Sequence, residues 1–523
     1  MTFAFPRCAR NHRLGLLNGA IGGALAIGAA EASLIVDFMP LTSARALASA
    51  LLLLVLRASA AEAPVTLTVD PRHPGVAIAP DFTGLSYEIT TLLPVNGVRY
   101  FRPDNTALLT LFHTLGLRHL RVGGNTSDRN ATTLPAPADW DSLFAFAKAA
   151  DVKVIYCLRL HDGDPATAAA TVKYIMDRYA PLVDSVSIGQ EPSAYPAEKV
   201  DTRPPAERMG AAVEKYPYAS YRDRWREFAA AITAAVPDVK FCGPSVHNNA
   251  DWARKFIDDF GRGHRVALIT EHLYAGGAAG KLPSAEVGRD RMLSGEFLKV
   301  YEKLHDGFVP AARAAGLGYR LEEVNSYFNG GALDASDTFT AALWGLEFMH
   351  WWAAHGAAGL DFHTGDRVSM NGEVSAPRYA TFLSAPGGFT IRPLAYAFKL
   401  FDLGGHGRTV PLTLDNPAAL NLAAFATVAA DGSTAITVIN KEHGPAGRDA
   451  ALTLAAPANA SIILLQAPDG SVAVKDGLTL GGAAIGPDGQ WQGAWQSLPA
   501  PAADGSRHVR IPTASAAVIR LGH

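Results

Sequence analysis

Two glutamates occupy matching positions far apart in the chain. Glu191 follows the apolar run 183–189, and Glu323 closes a run that begins at Tyr319. Each ends a β-like segment and opens a loop, which in a β/α barrel places a carboxyl group at the C-terminal mouth. A carboxyl pair there is typical of glycoside hydrolysis, because one acid protonates the leaving oxygen while the other group attacks the sugar or activates water. Taken alone, either residue is more simply explained as a strand-end acid in a surface ion pair.

The elements that would position this pair form an alternating pattern between residues 81 and 403. Helical segments separate short apolar runs; in one of them Leu108, Leu111, Phe112 and Leu115 build an apolar face after a candidate N-cap, Asn105. The alternation predicts an α/β fold, a (β/α)8 TIM barrel, rather than a doubly wound sheet. The eight predicted strands are 83–88, 117–122, 152–158, 183–189, 239–243, 266–273, 319–323 and 359–363.

The apolar period changes from 3.6 to 2 after residue 403. Alternating runs separated by Asp-Gly and proline turns predict a C-terminal antiparallel β-sandwich over 404–523. Val65, Leu67 and Val69 alternate with threonines, so the segment 64–80 is predicted to add a strand to that sandwich before the barrel, 81–403, begins.

Strand order assigns a role to each glutamate. Glu191 ends the fourth predicted strand and Glu323 the seventh, and in retaining glycosidases two such carboxyl groups lie about 5 to 5.5 Å apart. We therefore expect Glu191 to be the acid/base and Glu323 the nucleophile. Glu322 is the alternative nucleophile, but side chains alternate along a strand, so only one of these neighbours can point into the mouth.

Composition gives no support to two classes of partner. The 523 residues are 49% apolar, and 46 basic against 49 acidic residues give a net charge of −3. This balance gives no indication of a nucleic-acid or anionic membrane partner. The cysteines Cys157 and Cys242 are predicted to be buried thiols rather than a disulfide. No CxxC or HExxH spacing supports a metal site, so neither a metal nor another cofactor is expected.

The first 63 residues are typical of a targeting segment. Arg45, the leucine-rich stretch 46–56 and the small residues that end at Ala61 fit a signal peptide, with Met39 as the candidate true start. This predicts an exported protein, periplasmic or extracellular, with no stable membrane partner after processing. A membrane anchor over 14–36 is the alternative, which Asn18 and Glu31 weaken.

Five segments together resemble glycoside hydrolase family 79, the β-glucuronidases and heparanases. In order along the chain they are 84–88, 121–127, 188–192, 271–274 and 323–331. The resemblance implies a barrel with a β-sandwich, a retaining mechanism and a uronic acid at the cleavage site. It also favours Glu323 over Glu322 as the nucleophile.

The resemblance further implies binding roles for residues near the mouth. The Gly330 and Gly331 N–H groups would hold the sugar carboxylate, although an ordinary loop turn explains them about as well. His272 and Tyr274 would line the sugar site, with Tyr274 bonded to the nucleophile. Asn125 would reach a sugar hydroxyl or serve only as a loop residue. In addition, Arg121 is expected to pair with buried carboxylates, Glu323 among them.

Two positions depart from the family pattern. Gln190 stands where related enzymes have an asparagine that binds the 2-hydroxyl group, and its amide could make similar bonds. The loop 362–370 has no tyrosine for the uronate carboxylate, so Arg367 is a candidate substitute, or else a solvated loop residue.

Three functions therefore remain open from the sequence. The first is an exo-acting β-glucuronidase; an endo-acting heparanase-like enzyme is less favoured, because the balanced charge indicates no long basic cleft. The second is a retaining β-glycosidase for a neutral sugar. The third is a non-catalytic carbohydrate-binding relative, which the presence of both carboxylates disfavours. A carbohydrate, either a glucuronide or a glycan that contains uronic acid, is the expected partner.

Overall fold

Strands and helices alternate along the chain between residues 83 and 404. The computed structural model describes residues 64–128, 132–195, 216–370, 373–457 and 459–522. Eight parallel strands, β2 to β9, close a barrel in chain order. The first nine strands are β1 (Val65–Val69), β2 (Thr83–Glu88), β3 (His119–Gly123), β4 (Lys153–Leu158), β5 (Val183–Ile188), β6 (Phe241–His247), β7 (Val266–Tyr274), β8 (Gly318–Asn325) and β9 (Gly359–Thr364).

Helices follow the barrel strands and cover the outside of the barrel. They are α1 (Thr106–Thr114), α2 (Asn125–Asp128), α3 (Pro137–Ala150), α4 (Pro165–Tyr179), α5 (Tyr218–Ala235), α6 (Ala250–Phe260), α7 (Ala285–Leu293), α8 (Gly295–Ala314), α9 (Phe339–Ala354) and α10 (Pro393–Gly404). In α1 the Asn105 side chain accepts from the Leu108 N–H, as predicted, and Leu108, Leu111 and Phe112 are fully buried. The N-cap satisfies an orphan donor while the apolar face packs on the barrel.

The closed barrel confirms the fold class predicted from the sequence. Two strands run two or more residues further than expected: β6 continues past 243 to His247, and β8 continues past 323 to Asn325. Gly243 and Pro244 are normally strand breakers, so sequence reasoning ended β6 too early. Both extensions lie at the mouth, where the extra residues contribute to the site described below.

The remaining strands form two hairpins and two larger sheets. The hairpin strands are β10 (Val368–Met370), β11 (Glu373–Ser375), β12 (Phe382–Ala385) and β13 (Gly388–Ile391). The C-terminal strands are β14 (Arg408–Thr409), β15 (Leu412–Asp415), β16 (Leu422–Val428), β17 (Thr434–Asn440), β18 (Ala450–Ala455), β19 (Ser461–Gln466), β20 (Thr479–Leu480), β21 (Gln496–Ser497), β22 (Ser506–Ile511) and β23 (Ser515–Leu521).

The two C-terminal sheets face each other across a shared apolar core. The smaller has the order β15-β1-β18-β22, and the larger has the order β14-β16-β17-β23-β19-β20, with β21 also paired to β19. Side chains from both sheets, such as Leu67, Leu452 and Ile519, form one cluster. The strand β1 is antiparallel to β15 but parallel to β18, whereas the other pairings in these sheets are antiparallel.

The larger sheet is buried on both faces. Along β23, Ala517 and Ile519 belong to the core between the sheets, whereas Ala516 and Val518 belong to the core that includes the barrel. Successive side chains point to opposite faces of a strand, so one sheet serves both cores. The larger sheet therefore packs on α10, which lies between this sheet and the barrel.

A buried ion pair crosses this contact. Lys441, just after β17, places Nζ 2.7 and 2.9 Å from the two carboxylate oxygens of Glu347 on α9. The residues are 3% and 6% exposed. Each charge thus depends on the other for its compensation.

The prediction of a targeting segment falls on residues 1–63, which lie outside the described residues. The same holds for the alternative anchor over 14–36 and for the candidate start at Met39. Within the described ranges, no helix has the length and apolar character needed to span a bilayer.

Candidate active site

Glu323 lies near the end of β8, where three neighbours hold its carboxylate. Arg121 on β3 donates from Nη1 to Oε2 over 2.9 Å, and Gln190 donates from Nε2 to the same oxygen over 3.0 Å. The Tyr274 hydroxyl, at the end of β7, donates to Oε1 over 2.9 Å. The contacts of Arg121 and Tyr274 are those expected from the sequence. Charge-assisted bonds to both oxygens fix the orientation of this carboxylate.

Glu191 follows β5 in a left-handed backbone conformation, with φ 46° and ψ 52°. For a residue other than glycine such a conformation costs on the order of 1–3 kcal/mol and is concentrated at functional sites. The Glu191 N–H donates to the carbonyl of Ser245 over 2.8 Å. His272 on β7 places Nδ1 3.1 Å from Oε1 of Glu191. A strained turn and a buried histidine thus fix the position of this carboxyl group.

The two glutamates line one cavity of about 220 Å³ at the barrel mouth. An oxygen of Glu191 and an oxygen of Glu323 lie within 4.8 Å of each other. Their side chains are 12% and 7% exposed. One small ligand in this cavity could contact both carboxyl groups.

The charges around Glu323 keep it ionised. Burial alone would raise the pKa of Glu323, but His363, His272 and Arg121 outweigh that effect and hold the pKa well below its usual range. Burial would lower the pKa of His272, yet Glu323, Glu191 and Glu322 raise it to about 9. The imidazole is therefore protonated at neutral pH, and Glu323 is a carboxylate.

A β-bulge at the end of β8 alters the alternation expected for Glu322 and Glu323. Leu321 pairs with Glu271, but His272 pairs with Glu323, so Glu322 is the extra residue. Both glutamates therefore contact the same ring: Oε1 of Glu322 lies 3.5 Å from Nε2 of His272, and Oε2 of Glu323 lies 3.9 Å from Nδ1. Glu323 lines the cavity, whereas Glu322 is fully buried below it.

The same cluster has the residue types of a metal site. Among the described residues, Glu191, His272 and Glu323 bring three potential ligand atoms within 4.8 Å of one another. A histidine ligand needs an unprotonated nitrogen towards the metal. Here Nδ1 is the hydrogen-bond partner of Glu191, and a pKa of about 9 keeps the ring protonated. The contacts fit an imidazolium between carboxylates rather than a metal centre.

The structure brings most of the predicted binding residues to this site, at different depths. Asn125, Tyr274 and Gly330 line the cavity. Gln190 and His272 are fully buried and contact the two glutamates from behind. Gln190 is 0% exposed, and its amide donates to Glu323. Its role at the sugar 2-hydroxyl stays a prediction.

Gly331 and Arg367 lie outside the lining. A Cβ atom on Gly331, where φ is 88°, would come 2.9 Å from the backbone nitrogen of Tyr379, so this glycine permits a close contact behind the cavity. Arg367 is exposed. Its neighbour Val368 lines the cavity at the start of β10, and alternation along the strand directs Arg367 away.

Sequence reasoning missed several residues that line the cavity: Glu88, His247, Phe328, Asn329, His363 and Tyr379. Glu88 and His363 end the first and eighth predicted strands, so the strand-end rule that selected Glu191 and Glu323 could have found them. His247 was hidden by the early end of the predicted strand. Tyr379 has no local signal, because it reaches the mouth after the β10–β11 hairpin.

Glu88 and Tyr379 are each held by hydrogen bonds from neighbouring elements. The carboxylate of Glu88 accepts from the Thr126 N–H over 2.8 Å and from the Asn125 N–H over 3.3 Å, at the start of α2. Asn325 on β8 donates to the carbonyl of Tyr379 over 3.4 Å. Burial first, and then the charges of Glu323 and Glu88, raise the pKa of Tyr379, so its hydroxyl remains a donor.

A second cavity, of about 320 Å³, adjoins the first. It shares Glu191 and His247 with the first cavity. Its other described lining residues are neutral: Ser193, Ala194, Tyr216, Asn248, Asn249 and Trp252. Glu191 thus lies between two spaces, and Glu323 borders only one of them.

No protein-family model matches the chain. Among curated proteins, the chain is similar to a β-glucuronidase from Aspergillus niger, with 26% identity over 200 residues. This match covers 35% of the present chain and 34% of the fungal protein. The similarity therefore spans about a third of the length of that relative.

Solved structures share the fold over most of the chain. A 4-O-α-L-rhamnosyl-β-D-glucuronidase from Fusarium oxysporum 12S has a TM-score of 0.67 at 16% identity, over 87% of this chain and 100% of that chain. A family 51 α-L-arabinofuranosidase from Bifidobacterium longum has a TM-score of 0.63 at 14% identity, over 88% and 100%. At these identities the similarity shows a shared architecture: the chain has the β/α barrel with added β-sheets found in these glycoside hydrolases.

Proposed function

We propose that the protein is a retaining glycoside hydrolase that acts on β-glucuronides. The observation that carries this proposal is the pair of buried carboxyl groups, with oxygens within 4.8 Å of each other, at one cavity of the barrel mouth. Inverting enzymes separate their carboxyl groups by about 6.5–9.5 Å to admit a water, whereas retaining enzymes keep them about 5–5.5 Å apart. The short separation supports direct attack by one carboxylate.

The surroundings support a different role for each glutamate. Glu323 stays ionised and is oriented by Arg121, Gln190 and Tyr274, as a nucleophile requires. Glu191 borders both cavities, so its proton can reach the oxygen that joins the sugar to its leaving group. In the first step Glu323 attacks the anomeric carbon while Glu191 protonates that oxygen. In the second step Glu191 takes a proton from water, which releases the sugar from Glu323.

The specificity for a uronic acid draws on the relatives and on the lining. Both glucuronidases named above act on glucuronides, and the lining includes Tyr379, Asn329 and Gly330, which carry neutral donor groups. Backbone and phenol donors can bind a carboxylate without a formal positive charge. The neighbouring cavity beyond Glu191 would hold the leaving group. Apart from Glu191 and His247, its lining residues within the described ranges are neutral and suit an uncharged, sugar-like aglycone.

A retaining glycosidase for a neutral sugar is the second candidate. Among the described lining residues, three are glutamates and none is lysine or arginine. A uronate would add a further negative charge next to Glu88, Glu191 and Glu323. This observation favours a neutral sugar, and it makes the test of specificity decisive.

Hydrolysis of a set of aryl glycosides tests the proposal. The set comprises the β-glucuronide, β-glucoside, β-galactoside, β-xyloside and α-L-arabinofuranoside of one phenol. We expect kcat/KM for the glucuronide to exceed that for the glucoside by a large factor, because a glucoside leaves the carboxylate donors unpaired. A glucoside cleaved as well as the glucuronide would contradict the uronate assignment and leave the two-glutamate mechanism intact.

Two variants and one control test the roles within that experiment. Glu323→Gln should abolish most turnover, and a 2-fluoro glycoside of the preferred sugar should label Glu323 in the wild type. Glu191→Ala should retain activity on substrates with very acidic leaving groups and regain rate with azide. Glu302→Gln changes an exposed glutamate on α8 and should behave as wild type. Equal loss on all leaving groups without azide rescue would exclude the acid/base role of Glu191.

A further inference from the structure

Glu322 is a buried carboxylate to which the proposed reaction gives no role. It is 0% exposed, although charged residues are seldom fully buried unless they are paired. Its Oε1 atom and Nε2 of His272 have no hydrogen-bond partner within the described ranges, and they lie 3.5 Å apart. Two buried polar atoms that would otherwise be unsatisfied therefore face each other at ion-pair distance.

The other nitrogen of the same ring contacts the acid/base. Nδ1 of His272 lies 3.1 Å from Oε1 of Glu191. The side chains of Glu322, His272 and Glu191 thus form a continuous chain from the barrel interior to the cavity. The bulge in β8 makes this chain possible, because it turns Glu322 towards His272 while Glu323 still reaches the mouth.

We propose that Glu322 is a positioning residue whose carboxylate holds the His272 imidazolium, so that His272 donates a hydrogen bond from Nδ1 to Glu191. This role rests on the proposed function of Glu191 as the acid/base. Because Nδ1 donates to Oε1, a proton on Glu191 then belongs on Oε2, where it can be transferred to a leaving group. If the ring were neutral with Nδ1 unprotonated, Nδ1 would accept the Glu191 proton and withdraw it from the substrate.

The charges of the cluster balance in the state that the reaction needs. Arg121 and His272 are positive, Glu322 and Glu323 are negative, and Glu191 completes a neutral set when it carries the acid proton. The pKa of Glu322 would be raised by burial but is lowered to about 2, chiefly by His272 and Arg121. Without the negative charge of Glu322, the cluster would carry a net positive charge. That charge would favour the loss of a proton from His272 or Glu191.

Other titratable groups around the pair do not replace Glu322. Glu271, next to His272 on β7, has a pKa raised to about 8 by burial and is neutral at pH 7. His363 on β9 lies 4.0 Å from Glu323 and 3.8 Å from Glu88, on the cavity side. Burial raises the pKa of the nearby thiols and phenols and keeps them neutral: Cys157, Cys242, Tyr221 and Tyr274. Glu322 is thus the carboxylate at Nε2.

The test compares the pH dependence of kcat/KM for wild type, Glu322→Gln and Glu322→Asp, with the aryl glycoside that the wild type cleaves best. In Glu322→Gln we expect the alkaline limb to move down by about one pH unit or more, because loss of a neighbouring opposite charge lowers the pKa of the His272 imidazolium by about 1–3 units. Activity at the new optimum should fall less than about 10-fold, and Glu322→Asp should restore part of the shift. Glu347→Gln, which removes a buried carboxylate remote from the site, should lower stability without moving either limb.

A second readout does not depend on catalysis. Imidazole 15N shifts of His272, assigned with His272→Gln, should show a doubly protonated ring at neutral pH in the wild type and a lower titration midpoint in Glu322→Gln. An unchanged midpoint, or a uniform loss of activity at every pH, would overturn the role of Glu322. If no aryl glycoside is cleaved but the midpoint still falls, the contact stands and the proposed function fails.

Discussion

Glu271 shows how one buried carboxyl group makes stability depend on pH. It precedes His272 on β7 and is fully buried; Oε2 accepts from the Asn249 N–H over 3.2 Å, while Oε1 has no partner within the described part of the chain. Burial raises its pKa from 4.5 to about 8. Because the folded pKa is above the unfolded one, the stabilising contribution is complete below pH 4.5 and is lost as the pH rises through about 8.

We predict that Glu271→Gln is more stable than the wild type in alkaline solution. The amide has the shape of the protonated acid, so the two melting temperatures should be similar near pH 4.5, and the variant should lose less stability as the pH rises to about 8. Thermal unfolding over this pH range checks the prediction. Parallel curves for the two proteins would show that Glu271 is ionised throughout.

Among the residues of the candidate site, the sequence predicted those that lie at the ends of predicted strands. Glu191 and Glu323 follow from the geometry of a barrel mouth, and the structure puts both at one cavity. Tyr379 could not be found in this way, since its position depends on the path of a hairpin. Glu322 was set aside on a rule of regular alternation, and a bulge that no residue pattern announces changed its surroundings.

The loop between β8 and α9 depends on backbone conformations that favour glycine. Asn329, Gly330 and Gly331 have φ values of 60°, 78° and 88° in succession. The Gly330 carbonyl accepts from the Arg378 N–H over 2.5 Å. This loop therefore holds the segment that carries Tyr379 against the cavity.

We predict that Gly331→Ala reduces activity more than stability. A left-handed alanine costs about 1–2 kcal/mol, and the added Cβ would also meet Tyr379 N at 2.9 Å and Ser336 Cβ at 3.0 Å. We expect kcat/KM to fall by about 10-fold or more, because small misplacements at a site are costly. Gly316→Ala is the control: its φ is 71°, nothing lies within 4 Å of the new Cβ, and it precedes β8 at the opposite end of the barrel. Equal losses of activity in both variants would contradict this role.

The order and type of the elements could be predicted well from periodicity. The eight barrel strands follow the apolar runs, because strands buried on both faces read as continuous apolar segments. Strand ends were less predictable at β6 and β8, where Pro244 and a polar tail belong to the strand. Residues at the ends of barrel strands line the candidate site. Errors in predicting the ends of β6 and β8 therefore affect the prediction of site residues most.

On the scale of the whole molecule, Lys441 and Glu347 connect the larger sheet to α9. We predict that Lys441→Met destabilises the protein by about 3–5 kcal/mol, because it leaves Glu347 buried without a partner. Adding Glu347→Gln should recover most of the loss, since the remaining amide carries no charge. Urea unfolding of wild type, single and double variants measures this. A double variant no more stable than Lys441→Met would mean that the lysine acts through packing.

The position of β1 sets the order in which the molecule can be completed. Its residue Thr68 pairs with Thr413 and its residue Thr66 with Thr453, so the first described strand is made long before both of its neighbours. Until the ribosome has passed β18, at least one edge of β1 stays unpaired, and an unpaired strand edge can pair wrongly with other chains. The smaller sheet can therefore be completed only after β22 and the larger sheet only after β23, so both sheets beside the barrel are completed when synthesis is nearly finished.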